Sequence, residues 1–222
     1  MLKNLFFIVA VISLTACGTG SGGGSSSGYC KEITPFIEGG RSKSERTLDS
    51  GEKFYQYRET HESNENVLRQ TVRTELSGMR TEVYAKIELF IKNHYAYTTK
   101  RVMKTTSTGM GEQSITEVYS PHSHRLPWTE ACKGATWKDT YTVQIGSNKV
   151  KMTVKLKVEN LDIEKTVKAG TFDTYILAFL SDKDLVGARK WFDMDTGEIV
   201  YEESYDASGK VVSSTELIEY TD

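Results

Sequence analysis

The feature that most constrains this chain is a strict two-residue alternation. Val150, Met152, Val154, Leu156 and Val158 fall on one side, and Lys149, Lys151, Lys155 and Lys157 on the other. A period of two marks a β-strand with one dry and one wet face. A slip of one residue would turn every apolar side chain of the run toward water, so the register of such a strand is pinned. Past Glu159 the phase flips to Leu161 and Ile163, which predicts a bulge or sharp bend there. A second run of the same kind sets Val83, Ala85, Ile87, Leu89 and Ile91 against Glu82, Lys86, Glu88 and Lys92.

Shorter strand-like runs fill the rest of the chain between turn signals. They cover 53–58, 67–76, 95–102, 114–119, 140–145, 171–180, 188–193, 198–205 and 211–220. Gly51, Ser77-Gly78, Gly109, Gly146-Ser147, Asp195-Thr196-Gly197 and Ser208-Gly209 punctuate them. Short strands with short turns predict antiparallel hairpins. Pro121 to Pro127 reads as a long irregular loop, and Glu38 to Leu48 as a short helix. The expected fold class is all-β: a strongly curved antiparallel sheet or open half-barrel of about ten strands, with few or no helices.

The N-terminus has the parts of an export signal. Lys3 supplies the positive charge, Leu5 to Leu14 the apolar run, and Ala16 and Gly18 the small residues. The run is too short to span a bilayer core, which needs roughly 20 residues. A cysteine directly after Leu14-Thr15-Ala16 resembles the lipobox of bacterial lipoprotein signals. The resemblance implies cleavage before Cys17, lipidation of Cys17, and a membrane as the first partner. Gly18 stands where that family carries an aspartate when the product stays in the inner membrane, so the outer membrane is implied, with the protein facing the periplasm or the cell surface. Residues 18–28 are a Gly/Ser tether with a reach on the order of 20 Å. Gly24-Ser25-Ser26-Ser27-Gly28 matches a hydrolase elbow only in letters, because a coil supplies neither the strand nor the helix the elbow needs. The expected organisation is a signal over 1–16, a lipidated cysteine and tether over 17–29, and a single β-rich domain over 30–222.

Removing residues 1–16 from 222 leaves 206, enough for one substantial core. Loss of Lys3 takes the formal net charge from −2 to −3, which gives no basic excess to hold nucleic acid. With Cys17 lipidated, Cys30 and Cys132 remain in an oxidising compartment, and an even remainder favours a disulfide between them.

A second resemblance rests on Ala169-Gly170-Thr171-Phe172-Asp173-Thr174-Tyr175, on Lys190-Trp191-Phe192-Asp193 with Gly197, and on Glu216-Leu217-Ile218-Glu219-Tyr220. Together with Pro127, Gly134 and Trp137, these motifs look like an uncharacterised family of bacterial envelope proteins. The likeness covers about residues 126–220. It implies a curved antiparallel sheet related in shape to the lipoprotein carriers LolA and LolB, and it brings no catalytic residues.

The candidates for chemistry are few. His122 and His124 stand two apart, with Glu130 and Cys132 soon after, but a metal site needs three or four converging ligands. Two exposed loop histidines beside a disulfide account for the pattern, and no metal or cofactor is expected. Glu202 and Glu203 point to opposite sides of a strand and are useless as an acid/base pair. The lysine stripe of 149–157 reads as a solvated face. Phe90, Phe172, Phe179, Phe192, Trp128, Trp137 and Trp191 are core, or line a concave face that receives an apolar ligand. The sequence therefore predicts a non-catalytic, membrane-anchored lipoprotein that binds an apolar ligand or a lipidated partner. The alternative is an assembly subunit that docks on another envelope protein through a sheet edge. A hydrolase ranks last.

Overall fold

The computed structural model describes residues 29–76, 79–107, 110–181 and 183–221. Cys17, the signal and the tether up to residue 28 lie outside them. Fifteen strands and no helix are found among the described residues. They are β1 (Cys30–Glu32), β2 (Arg41–Leu48), β3 (Lys53–Ser63), β4 (Val67–Leu76), β5 (Met79–Lys92), β6 (Tyr95–Ser107), β7 (Met110–Ser120) and β8 (Arg125–Pro127). The chain continues through β9 (Glu130–Cys132), β10 (Thr136–Ile145), β11 (Asn148–Val167), β12 (Gly170–Leu180), β13 (Val186–Asp193), β14 (Ile199–Tyr205) and β15 (Val211–Thr221).

Twelve of these strands close on themselves. The order runs β5-β4-β3-β2-β15-β14-β13-β12-β11-β10-β7-β6, and β6 pairs back onto β5 through twelve register positions from Thr81↔Ser107 to Lys92↔Tyr95. Every pairing is antiparallel. The open half-barrel of about ten strands is therefore corrected to a closed barrel of twelve. The reason is that residues 41–120 supply β2 to β7, half of the ring, and closure abolishes the two edges an open sheet would leave to water.

The short helix expected over Glu38 to Leu48 is also corrected: Arg41–Leu48 is β2, joined to β3 and β15. Its inward residues are Ser42, Ser44 and Arg46, so neither face of the strand is apolar and the alternation is invisible to hydropathy. The phase flip after Glu159 is a pair of register shifts in β11, between Val158 and Asn160 and between Asn160 and Ile163. Beyond them the β11–β12 hairpin runs past the end of β13. Its tip reaches β15, where the Ala169 N–H donates to the Leu217 carbonyl at 3.3 Å and Val167 packs with Val200 and Leu217.

One end of the barrel is closed by a floor. β1 pairs with β9, and Cys30 is bonded to Cys132, its direct register partner, with an S–S distance of 2.09 Å. Ile33 and Ala131 of this layer are buried against Trp137, Leu156, Leu177 and Phe192 of the barrel wall. The chain at 34–36 crosses so close to Gly197 (φ 70°) that a Cβ there would stand 2.7 Å from the Phe36 nitrogen, so only glycine fits. At the opposite end, around the β10–β11 turn at Gly146, the inward-facing residues emerge into solvent. Ile145 is 41% exposed and Val150 52%, whereas Leu156, on the same face of β11 near the floor, is fully buried. The barrel has a floor and a mouth.

Candidate functional site

A closed barrel has two walls, and register assigns each side chain to one of them. Alternation from the buried Leu156 and Tyr141 places Val143, Ile145, Val150, Met152 and Val154 on the inner wall. The same alternation carries Arg101 and Met103 of β6, Glu117 and Tyr119 of β7, Lys190 of β13, Glu202 of β14, Arg46 of β2 and Gln56 and Arg58 of β3 inward. Eight strands make an interior that side chains just fill, and larger barrels leave room for ligands or channels. Inner-wall residues here keep accessible surface: the Lys190 side chain is 13% exposed and that of Glu202 20%, while Arg46, Met152 and Phe179 are only half-buried. Surface retained on the inner wall of a closed barrel borders water-accessible space.

The lumen is lined by both apolar and charged side chains. Its apolar lining is Ile115 of β7, Val143 of β10, Val150 and Met152 of β11 and Phe179 of β12. It also carries ion pairs. The Arg101 Nε donates to Glu117 Oε2 at 2.7 Å, and the Tyr119 hydroxyl donates to the same oxygen at 2.5 Å. Lys190 Nζ lies 3.1 Å from Glu202 Oε2. Arg58 pairs with Glu198. Arg125 stands 3.9 Å from the Asp139 carboxylate, which also accepts the Arg125 backbone N–H at 3.4 Å. Burial alone would raise the Glu202 carboxyl, but Lys190, Arg46 and Arg58 hold it below its ordinary value. Asp139 is pushed above its ordinary value by burial, with Arg125 opposing. Tyr119 is likewise driven up, chiefly by burial.

The sequence candidates scatter around this lumen. Cys30, Cys132 and Glu130 do cluster, but both sulfurs are spent in the disulfide and no thiolate is left to ligate a metal. His122 packs edge-on against Tyr97, with ring centroids 4.8 Å apart. His124 is buried in the interior, so the two imidazoles belong to different environments. The Ser123 hydroxyl donates to the His124 carbonyl and accepts the Thr98 N–H, so it has no contact with the neighbouring imidazole to activate it. Glu202 faces the lumen and Glu203 the outside, where the Tyr205 hydroxyl donates to it. Of the aromatics, Trp137 and Phe192 build the floor cluster and Phe179 lines the lumen; Trp191 packs on Tyr201 outside, 5.2 Å between centroids. Arg46, Arg58, Arg101, Glu117 and Lys190 were not candidates from sequence. Their only local signal is a charged residue at an inward position of a strand.

Neither ring nitrogen of His124 has a hydrogen-bond partner among the described residues. Burial, then Lys190 and Arg101, hold this imidazole neutral, well below its ordinary pKa. The unfolded chain protonates the same residue near pH 6.5. Below that pH the unfolded state binds a proton that the folded state does not, so stability falls as the solution is acidified. The expected slope between pH 6.5 and 5.5 approaches about 1.4 kcal/mol per unit, and His124→Phe should remove it. Urea melts of both proteins at pH 7.5, 6.5 and 5.5 measure this; parallel pH dependences would show that His124 charges freely in the folded state.

No family model matches the chain, and no curated protein matches it. Two solved structures are similar to it. One is a "putative lipoprotein" from Parabacteroides distasonis ATCC 8503, 17% identical, covering 87% of this chain and 100% of its own, with a TM-score of 0.47. The other is a "putative exported protein with YmcC-like fold" from Bacteroides fragilis NCTC 9343, 12% identical over 87% of this chain and 100% of its own, with a TM-score of 0.42. Likenesses this loose carry no argument about function, which rests on the residues of the barrel itself.

Proposed function

We propose that this chain is a non-catalytic envelope lipoprotein, anchored to the outer membrane through acylated Cys17, whose barrel admits a small apolar or amphiphilic ligand at its mouth. The observation that carries the reading is the pair Val150 and Ile145, large apolar side chains of the inner wall left 52% and 41% exposed at the open end. They continue downward into half-buried Met152 and Val154, an apolar path from solvent into the lumen. Ligand sites of this kind occur in the mouths of β-barrels. A docking subunit is the second reading. Closure of the ring removes the long strand edges through which such docking would add a strand, so a partner would have to use the outer wall. There a shallow groove of about 490 Å³ is lined in part by Lys43, Tyr57, Arg73 and Glu82.

The test is a titration of the mature chain with N-phenyl-1-naphthylamine, an apolar fluorescent probe. The wild type should take it up saturably. Val150→Glu and Ile145→Glu should each weaken uptake by about tenfold or more, since burying one such side chain against a ligand is worth about 1.5–3 kcal/mol. Both should leave the urea midpoint unchanged, because these side chains are exposed. Tyr84→Glu, on the outer wall, should have no effect on uptake. No saturable uptake, or equal loss from the outer-wall variant, overturns the lumen reading. Mass spectrometry of the detergent-extracted chain tests the anchor: Cys17 without acyl chains removes it.

A further inference from the structure

We infer that the lumen carries an anion-receiving site built on Arg46 and Gln56, so that the ligand is an amphiphile with an anionic head, a carboxylate or a phosphate. This rests on the lumen reading above and names the chemistry of its polar end. Among the described residues, five cations project from the barrel wall or floor into the interior: Arg46, Arg58, Arg101, Arg125 and Lys190. Four carboxylates face them, and each is taken by one cation: Glu198 by Arg58, Glu117 by Arg101, Asp139 by Arg125 and Glu202 by Lys190. The cation left over is Arg46.

What Arg46 touches does not neutralise it. Its Nη2 donates to the Ser213 hydroxyl at 3.0 Å, and its guanidinium lies 5.8 Å from the centre of the Phe54 ring. Its Nε is buried and has no hydrogen-bond partner among the described residues. The same holds for Nε2 of Gln56, on the adjacent strand and the same face, one diagonal step away by the register Ser44↔Gln56 and Arg46↔Phe54. Buried donors without acceptors are rare and costly, and one on the Arg46 guanidinium with a second beside it on Gln56 calls for an acceptor that carries charge. A guanidinium offers its donors in a planar fork that fits a carboxylate or a phosphate. Glu202 feels the charge of Arg46, but its direct contact is with Lys190. The apolar lining stands across the lumen: β11 lies five strands from β2 in the ring of twelve. A ligand whose head meets Arg46 and whose chain leaves past Met152 and Val150 satisfies both walls.

The experiment displaces the bound naphthylamine probe from the mature chain with dodecanoate, dodecyl phosphate and dodecanol at pH 7.5. Both anions should bind about tenfold or more tightly than the alcohol, and their order identifies which head fits better. Arg46→Met should bring the anions down to the affinity of the alcohol while leaving the alcohol unchanged. Every carboxylate keeps its contact partner in this variant, Glu202 its Lys190, so it should fold, which a urea melt checks. Arg46→Lys keeps the charge without the fork and should fall between the two. Gln56→Leu should weaken the anions several-fold. Equal binding of all three heads, or an anion preference that survives Arg46→Met, overturns the anion site and leaves the lumen reading standing. If Arg46→Met fails to fold, unchanged anion affinity in both Arg46→Lys and Gln56→Leu overturns the site instead. Failure of every amphiphile to displace a probe that binds saturably also overturns it, whereas absence of probe uptake overturns the lumen reading itself.

Discussion

Replacing Cys30 and Cys132 together by serine should cost about 4–5 kcal/mol, the chain-entropy value for opening a loop of about 100 residues. The cysteines are 102 positions apart and the chain between them carries β2 to β7, so their bond restrains half of the ring in the unfolded chain. In the folded state the bond holds β1 on β9, and with them Ile33 and Ala131 against Trp137 and Leu156. A domain of this size has only about 5–15 kcal/mol in all, so the variant should sit near the edge of folding. Urea melts of the double variant, of the wild type, and of the wild type with reductant measure the effect. The reduced wild type and the variant should coincide. A midpoint within experimental error of the oxidised wild type would show that the floor holds without the bond.

The cysteine pair was legible because its signal is arithmetic: two thiols left over in an exported chain. The strands β5 and β11 were legible for a different reason. Their inward residues are Val83, Ala85 and Ile87, and Val154, Leu156 and Val158, so burial writes a period of two into the hydropathy. β2 was not legible because its lumen side is Ser42, Ser44 and Arg46. A polar lumen erases the contrast between the two faces of a strand, and the residues that do so are those of the candidate site. Closure was hidden as well. It depends on pairings such as Thr215↔Arg46, between β15 and β2, which join the two ends of the chain and leave no local trace. Once the ring is closed, the edge-docking alternative loses its long edges, and the concave face becomes the inner wall of a barrel whose β10–β11 end leaves Ile145 and Val150 in solvent.

The ion pairs leave no local signature for the same reason. Arg101 and Glu117 are charged residues within runs that otherwise read as ordinary wet-faced strands, and only the register Arg101↔Glu117 between β6 and β7 shows that both point inward. Arg58 and Glu198 are 140 positions apart. No spacing in the sequence links such partners, and only the alternation phase of each strand, once fixed by its neighbours, tells a lumen charge from a surface one.

Glu117→Gln should destabilise the protein by about 3–5 kcal/mol, the range for removing one partner of a buried ion pair. Side-chain exposure is 7% for Arg101 and 10% for Glu117, so water cannot replace the lost carboxylate. The amide keeps the size of the side chain and its oxygen can still accept the Tyr119 hydroxyl, so the loss isolates the charge. It also removes the buried carboxylate that Arg101 is paired with. Adding Arg101→Met to Glu117→Gln removes the orphaned charge, and most of the stability should return, because a buried pair replaced on both sides is often close to neutral. The two substitutions should therefore be strongly non-additive, with a coupling of roughly 2–3 kcal/mol at this contact distance. The opposite pair, Arg41 and Glu59 on the outer wall, serves as the reference: Arg41 is 69% exposed, and Glu59→Gln should cost no more than about 1 kcal/mol. Urea melts of the wild type, Glu117→Gln, Arg101→Met, the double variant and Glu59→Gln at one pH decide the matter. If Glu117→Gln costs as little as Glu59→Gln, water reaches Arg101 and the lumen is wetter at that level than its burial implies. If the double variant stays as unstable as the single one, the loss comes from packing around Tyr119 and not from charge.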